Sequence, residues 1–374
     1  MIQVRRIHPL LLLQAVLLLL LFCMPEAALR GASAALHSCA GQIIPALFPF
    51  LLLCEWLTAN QDLDRLGPPL APVAQFACGQ RSCGSTLLLG LRLMGGDVIS
   101  SIGICDLREG VARRWEFELN QIQLPGPYDA LPPVEIVPPE RLFDGDVFLF
   151  CASRFVPDTA VKTGDVRMAQ YQLNRELAAL YARKAREARY RGLFCVVSDP
   201  VDPLCRAVLT ESNRAPGGGM DYQGLLTCQV RGFGLGVMNA RAAYYARQDP
   251  RFASFLTDGR TFGPHGEDLV VANSIDRYDD GLSRLLTERT VHANLQMREM
   301  GFKPYVAPAL SSGALSLLLC LRGQWHCSST YLGGVFMGAR NRVTAAGTEL
   351  ERLPLPRQLQ DRLQTTMDRL RAID

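Results

Sequence analysis

The stretch that decides the fold is Gly164-Asp165-Val166-Arg167, continuing through Asn174-Arg175 to Val197-Ser198-Asp199-Pro200-Val201-Asp202. An arginine stands where a loop passes into a long helical pattern. An apolar run follows the helix and predicts a buried strand. That strand ends in a turn that contains serine, aspartate and proline. A helix, a strand and a polar turn in this order predict an α/β fold.

The bulk properties are those of a globular chain with an apolar appendage. The chain has 374 residues, which is room for two domains and an extra segment at the usual ~100–200 residues per domain. The net charge is +3, and charges of both signs are mixed along the chain without a basic block. We therefore expect no nucleic-acid partner.

The twelve cysteines are placed as small apolar residues rather than as a disulfide or metal framework. Five of them lie inside or at the ends of apolar runs that predict buried strands: Cys78, Cys105, Cys151, Cys195 and Cys228. No CxxC spacing and no cluster of histidine and cysteine occurs in the sequence. These features predict a reducing compartment and no metal ion.

Two apolar runs precede the α/β region. The first covers residues 9–24, is broken by Gln14, and follows Arg5 and Arg6; the second covers residues 43–57. Each is short for a membrane-spanning helix, which needs roughly 20 residues. The first run could be a signal peptide, the pair could form a membrane hairpin, or the second run could pack against the body of the protein.

The hairpin is the favoured interpretation, because the second run makes little sense as surface if the first is cleaved. Residues 1–60 are then a membrane anchor and residues 61–72 a linker, with membrane contact through residues 9–57 and the remainder in the cytosol. The segment of residues 31–57 is also weakly similar to part of a sporulation-type integral membrane protein.

The next region has the order expected of a dinucleotide-binding unit. Residues 73–78 predict a strand, residues 79–86 a glycine turn, residues 87–93 a helix and residues 98–105 a second strand closed by Asp106. In a Rossmann fold the turn is tight, the helix N-terminus faces the pyrophosphate, and the acid accepts the ribose hydroxyls. The order therefore predicts a Rossmann-type parallel sheet in a domain of residues 73–200.

The glycine fingerprint departs from the ideal pattern at its middle position. The three positions are Gly79, Arg81 and Gly84, and the arginine stands where a glycine normally lets backbone approach phosphate. Its side chain either obstructs the cofactor or pairs with a phosphate. Asp106 lies 22 residues after Gly84 and favours NAD over NADP, because a carboxylate repels a 2′-phosphate.

Three more motifs come from separate parts of the chain. Arg167 has a Gly-x-x-Arg context, Arg241 closes the run Val237-Met238-Asn239-Ala240-Arg241, and His265 lies in Gly263-Pro264-His265-Gly266. Their order and contexts resemble those of the lactate/malate dehydrogenase family over about residues 70–374. Residues 201–374 would then form an α+β substrate domain of that type.

The resemblance implies a role for each of these residues. Arg167 would polarise the substrate carbonyl, Arg241 would clamp the substrate carboxylate in a two-bonded fork, and His265 would pass a proton. The cofactor would be NAD. The specificity position would be Val161, and Lys303 would stand in the family's Gly-x-Thr segment.

Two positions depart from the family pattern. Met238 stands where the resemblance requires the aspartate that orients the histidine, and Asp199 stands where it requires an asparagine beside substrate and nicotinamide. Either Asp199 has taken over the orienting role, or the proton relay has decayed.

The resulting prediction is an NAD-dependent oxidoreductase that interconverts a 2-hydroxy and a 2-oxo carboxylic acid, acting as a homo-oligomer. The alternative is a catalytically silent homologue that binds a nucleotide or carboxylate as a membrane-tethered sensor or scaffold.

Overall fold

The computed structural model describes residues 73–77, 82–106, 108–153, 166–302 and 304–373. Ala71–Asp374 form one compact unit. The predicted anchor and linker, residues 1–72, lie outside the described residues, so the membrane hairpin stays a prediction. In the described part, every helix is too short or too polar to cross a membrane.

The first half of this unit alternates strands and helices. Its elements are β1 Val73–Ala77, α1 Ser82–Met94, β2 Ser101–Cys105, α2 Glu109–Asn120, β3 Val134–Ile136, β4 Val147–Phe150, α3 Val166–Glu187, β5 Leu193–Val196, α4 Val201–Ser212 and β6 Val230–Gly232. The second half mixes helices with antiparallel strands. Its elements are α5 Leu235–Gln248, α6 Phe255–Asp258, β7 Arg260–Phe262, β8 Val270–Ala272, α7 Asp280–Glu299, a π-helix Pro308–Leu315, α8 Ser316–Leu321, β9 His326–Leu332, β10 Val335–Thr344, β11 Gly347–Leu350 and α9 Arg357–Ala372.

One sheet organises the described residues. Its strand order is β11-β10-β9-β6-β5-β4-β1-β2-β3, and β1 to β6 all run parallel. The parallel part therefore has the order 3-2-1-4-5-6, with a reversal between β1 and β4 where such sheets bind dinucleotides. The predicted Rossmann-type sheet is confirmed.

The C-terminal half extends the same sheet rather than standing apart from it. β9 joins β6 in antiparallel fashion through the pair Gly232 and Ser329, and β10 and β11 continue from β9. β7 and β8 form a separate antiparallel pair. The sheet thus runs across the predicted boundary at residues 200 and 201, and the division into two domains there stays a prediction.

The core on one face of the sheet is built around aromatic side chains. Phe148 on β4 and Phe194 on β5 are fully buried, with ring centroids 4.8 Å apart. Both central strands are buried along nearly their whole length, which explains their continuous apolar sequence. Each such ring contributes roughly 1.5–3 kcal/mol by its burial.

The sequence of residues 225–230 predicts a strand, and this prediction is wrong in its placement, because only Val230 belongs to a strand. Leu226 is 57% exposed, and the buried Gln229 amide donates to the Tyr190 and Gly192 carbonyls. The run is therefore a turn held by a polar side chain. For the same reason Cys228 is exposed rather than buried as predicted.

Several predicted boundaries also move. α1 begins at Ser82 rather than at residue 87, so Gly84 lies inside its first turn and not in the loop before it. β2 begins at Ser101, three residues after its predicted start. The run of residues 142–153 also predicts a strand, and the observed strand, β4, occupies only Val147–Phe150 of it.

Candidate functional site

The turn after β5 is held from two sides. Ser198 donates its hydroxyl to the Ala152 carbonyl at 2.5 Å, and the Asn174 amide of α3 donates to the Asp199 carbonyl at 2.7 Å. These bonds fix the main chain while the Asp199 side chain stays exposed. Because β5 and β6 pair at Val196 and Gly232, this turn lies beside the start of α5.

His265 is bound to the residue that begins α5. Its Nδ1 lies 2.9 Å from the carbonyl oxygen of Gly234, which is the N-cap of that helix. A carbonyl oxygen can only accept, so Nδ1 carries the proton and the neutral ring keeps Nε2 as its acceptor. This is the tautomer that a general base needs when Nε2 faces the substrate.

The close approach of His265 to Gly234 requires a glycine. A Cβ atom on Gly234 would lie 2.9 Å from His265 Cβ and 2.9 Å from Val201 Cγ2. Both distances are shorter than carbon atoms tolerate without movement. The absence of a side chain at residue 234 therefore sets the distance between the histidine and α5.

A buried carboxyl holds the main chain of the same histidine. Asp202, in the first turn of α4, accepts the His265 main-chain N–H on Oδ2 at 3.2 Å. Burial raises the pKa of Asp202 to about 6, while Ser329 and the N–H and charge of His265 act in the opposite direction. Asp202 Oδ1 and Ser329 Oγ are buried without a hydrogen bond of good geometry in the described structure.

Arg241 lies two helical turns after Gly234 on α5. Its Nη1 donates to the Met238 sulfur at 3.5 Å, and Met238 itself is 1% exposed. Burial lowers the pKa of Arg241, and the charges of Tyr245 and Asp199 act in the opposite direction. Asp199 is thus within electrostatic reach of the predicted carboxylate clamp.

The sequence resemblance assigns the orientation of the histidine ring to a carboxylate, but in the structure a main-chain carbonyl bonds the ring. Met238 packs into the core around α5, and the ring nitrogen that one of the two alternatives assigned to Asp199 is bonded to Gly234. A carbonyl fixes the tautomer as a carboxylate would, but it carries no full charge to stabilise an imidazolium.

Two of the four residues predicted to bind the nucleotide lie among the described residues. Asp106 follows β2, and its side chain is 5% exposed; its Oδ1 accepts the main-chain N–H of Arg108 at 2.9 Å and the guanidinium of Arg108 at 3.4 Å. Gly84 is buried in the first turn of α1. Gly79 and Arg81 lie outside the described residues.

The side chains of three further predicted site residues lie outside the described part of the structure. Val161 and Lys303 lie outside the described residues, and Arg167 opens α3 with its side chain outside them. Within the described ranges, histidine, cysteine, aspartate and glutamate form no group of three or more that could hold a metal ion.

Two groups that hold His265 in place were not predicted from the sequence. Gly234 acts through its carbonyl, which no side-chain pattern reveals, although Gly232-Phe233-Gly234 before a predicted helix is a usable signal of close packing. Asp202 belongs to the turn motif at residues 197–202, but its sequence context indicates no role for it. An acidic residue in the first turn of a helix is normally a surface feature, and its complete burial could not be foreseen.

Comparison with known proteins shows the fold. No family model matches the chain, and no curated protein does. Among solved structures, the minor L-lactate dehydrogenase of Enterococcus mundtii matches with a TM-score of 0.63 at 19% identity, covering 80% of this chain and 96% of that one. The malate dehydrogenases of Plasmodium falciparum and Picrophilus torridus match with TM-scores of 0.61 and 0.60, both at 15% identity, covering 80% of this chain and 96% and 95% of theirs. This chain has the fold of the lactate and malate dehydrogenases.

Proposed function

We propose that this protein is an NAD-dependent oxidoreductase that interconverts a 2-hydroxy and a 2-oxo carboxylic acid. The observation that carries the proposal is that one helix, α5, fixes both groups the reaction needs. Its N-cap carbonyl holds the His265 ring, and its second turn carries Arg241. Arg241 is the seventh residue after Gly234, which places the two on one face at a rise of roughly 10 Å.

The proton chemistry follows from the state of His265. With its Nδ1 proton donated to Gly234, Nε2 can accept the hydroxyl proton of a 2-hydroxy acid and return it to the carbonyl oxygen in the reverse direction. Asp202 accepts the main-chain N–H of the same histidine on Oδ2 at 3.2 Å. The histidine is thus held by a carbonyl at its ring and by a carboxyl at its main chain.

Arg241 would bind the substrate carboxylate. A guanidinium offers two parallel N–H groups to a carboxylate, and partial burial strengthens such a pair. Its Nη1 now rests on a thioether, which is a weak acceptor that an anion displaces readily. The roles of Arg167, Val161 and Lys303 at the substrate rest on the sequence resemblance.

The residues that would hold NAD fit its adenosine end. α1 begins five residues after β1 ends, and Asp106 follows the neighbouring strand at the same edge of the sheet. The main-chain N–H and the guanidinium of Arg108 both donate to Oδ1 of that carboxylate, and the ribose hydroxyls would donate to the same side chain. When bound, NAD would accept the hydride from C2 of the substrate.

Reduction of NAD tests this function. The purified full-length chain is mixed with NAD and a panel of 2-hydroxy acids, and NADH is followed by its absorbance. We expect turnover with at least one acid, and loss of nearly all of it in His265→Gln. Failure of every acid in the wild type would contradict the proposal.

A silent homologue that binds a carboxylate is the second candidate, and two neighbours of Arg241 favour it. Met238 supplies no charge beside the histidine, and Asp199 opposes an anionic substrate. Protection of Arg241 from phenylglyoxal by 2-oxo acids, in a protein that forms no NADH, would support this candidate.

We further propose that residues 9–57 hold the protein at a membrane, that residues 73–374 face the cytosol, and that the protein is a homo-oligomer. The two apolar runs and the Arg5 and Arg6 flank support the first two points. Protease added outside intact cells should leave residues 73–374 uncut, and cleavage there would reverse the topology. The proposed homo-oligomer should sediment in detergent with a mass above that of one chain.

A further inference from the structure

The carbonyl that holds His265 belongs to a residue that cannot cap its own helix. Gly234 is the N-cap of α5 and has no side chain, so no group of its own binds the first-turn N–H groups. A histidine bonded to such a carbonyl is oriented only as well as the carbonyl is. Some other group must therefore cap the helix.

Ser312 supplies that cap from a different part of the chain. Its Oγ accepts the N–H of Val237 at 2.8 Å and donates its own proton to the Gly234 carbonyl at 2.8 Å. Val237 is the third residue of α5, the position whose N–H an N-cap side chain usually binds. The serine thus performs the capping bond that Gly234 cannot make, and closes it onto the carbonyl that holds His265.

The two hydrogen bonds to this carbonyl are compatible. As the N-cap carbonyl, the Gly234 oxygen begins the hydrogen-bond ladder of α5, and it also accepts the Ser312 hydroxyl at 2.8 Å and the His265 Nδ1 proton at 2.9 Å. Shared acceptors of this kind are common at helix ends. The Ser312 hydroxyl is itself polarised by the Val237 N–H, which strengthens its donation. Ser312 thus ties the carbonyl that holds His265 to the first turn of α5.

The segment that carries Ser312 is itself firmly placed. It is the π-helix Pro308–Leu315, and Ser312 is 2% exposed. Backbone approaches closely on both sides: a Cβ on Gly236 of α5 would lie 2.4 Å from the Ser311 carbonyl oxygen, and one on Gly90 of α1 would lie 2.8 Å from Ala314 Cβ. π-Helical segments are rare, and they often occur at functional sites.

We propose that Ser312 is a positioning residue for His265, acting through the Gly234 carbonyl in place of the carboxylate absent at residue 238. Its importance for turnover rests on the proposed function, whereas its effect on the ring of His265 does not. Loss of the hydroxyl removes the cap on Val237 and one of the donors that hold the Gly234 carbonyl. The His265 ring is then held less firmly, and its preference for the tautomer with the proton on Nδ1 weakens.

The test is nitrogen NMR of the histidine side chains in the full-length chain, which has five histidines. His265→Gln identifies the signals of His265. Wild type should show His265 with its neutral-ring proton on Nδ1, and Ser312→Ala should show a mixture of the two tautomers. Ser312→Thr keeps the hydroxyl and should restore the wild-type signals.

A matched control removes an equally buried hydroxyl. Ser316, the first residue of α8, is 4% exposed; among the described residues its hydroxyl bonds the Ser311 carbonyl at 2.6 Å and not Gly234, so Ser316→Ala should leave the His265 signals unchanged. If Ser312→Thr does not fold because of its added methyl group, the comparison of the two alanine variants decides. Identical His265 signals in wild type and Ser312→Ala would overturn the proposal.

Turnover gives a second readout. Ser312→Ala should lower kcat by about tenfold, the equivalent of one net hydrogen bond, with KM within about twofold. A rise in KM with unchanged kcat would contradict a role at the histidine. If the wild type forms no NADH, the proposed function fails, and the tautomer of His265 still decides the role of Ser312.

Discussion

The imidazole of His265 is bonded to the main chain of Gly234, at 2.9 Å from Nδ1 to the carbonyl oxygen, and not to a carboxylate. This bond joins the proton-transfer group to the helix that carries Arg241. A displacement of the α5 N-terminus would also displace the His265 ring, because a main-chain carbonyl moves with its helix.

Substitution of Gly234 should damage the site through packing. The added methyl group of Gly234→Ala would meet His265 Cβ and Val201 Cγ2, each at 2.9 Å. We expect a loss of roughly 1–3 kcal/mol in the free energy of unfolding and a lower kcat. Urea denaturation measures the first and the NADH assay the second.

Gly110→Ala in α2 is the matched control, because a Cβ there has no neighbour within 4 Å. It should be neutral or should stabilise the protein by up to about 1 kcal/mol. Equal stability of the two variants would show that the crowding at Gly234 is unimportant.

The buried carboxyl of Asp202 should make stability depend on pH. Burial raises its pKa from 3.8 to about 6, so its contribution to stability is fully present below pH 3.8 and is lost as the pH rises through 6. Two pH units correspond to roughly 3 kcal/mol. Asp202→Asn keeps the acceptor for the His265 N–H without the charge, and should therefore be more stable than wild type at pH 7.5.

Denaturant titrations of wild type and Asp202→Asn at pH 4.5 and pH 7.5 measure this difference. Asp361→Asn, which changes a carboxylate that is 61% exposed, should follow the wild type at both pH values. If the stabilities of wild type and Asp202→Asn change in parallel between pH 4.5 and pH 7.5, the ionisation of Asp202 is not the source of the pH dependence.

Arg241→Lys should weaken carboxylate binding. An ammonium retains the charge but cannot form the planar two-bonded fork, so affinity for a monocarboxylate such as oxamate should fall on the order of 10- to 100-fold. Isothermal titration with oxamate gives the affinity directly. Equal affinities for the two proteins would place the carboxylate elsewhere.

Asp199→Asn should improve anion binding. The carboxylate lies within electrostatic reach of Arg241, and its removal takes away a negative charge beside the substrate. We expect KM for a 2-oxo acid to fall several-fold, most clearly at low salt, with kcat retained. A loss of kcat would instead show that Asp199 takes part in the proton relay.

The parallel half of the fold could be read from sequence because its strands are continuous apolar runs and its helices are periodic. β1, α1 and β2 all overlap their predicted ranges, residues 73–78, 87–93 and 98–105. The three-residue strands β3, β7 and β8 were not predicted, since such short segments carry no usable periodicity.

The site was predictable where it depends on side chains in recognisable motifs, and not where it depends on placement in space. His265 and Arg241 were found from their local sequence, and the structure attaches both to α5. Ser312 comes from a segment 75 residues beyond Val237, and only the folded chain brings its hydroxyl to α5. Met238 was identified as a departure from the family pattern. The sequence could not show that the Gly234 carbonyl bonds the histidine in place of the missing aspartate.

Hydride transfer is the most direct test of the central claim, that α5 places a histidine and an arginine around a 2-oxo acid beside NAD. The wild type, His265→Gln and Arg241→Lys are each incubated with NADH deuterated at C4 and a 2-oxo acid, and the product is analysed by mass spectrometry and proton NMR. We predict one deuterium at C2 of the 2-hydroxy acid with the wild type and little product with either variant. NADH that stays unoxidised in the wild type, or product formed equally well by the His265→Gln variant, would contradict the account.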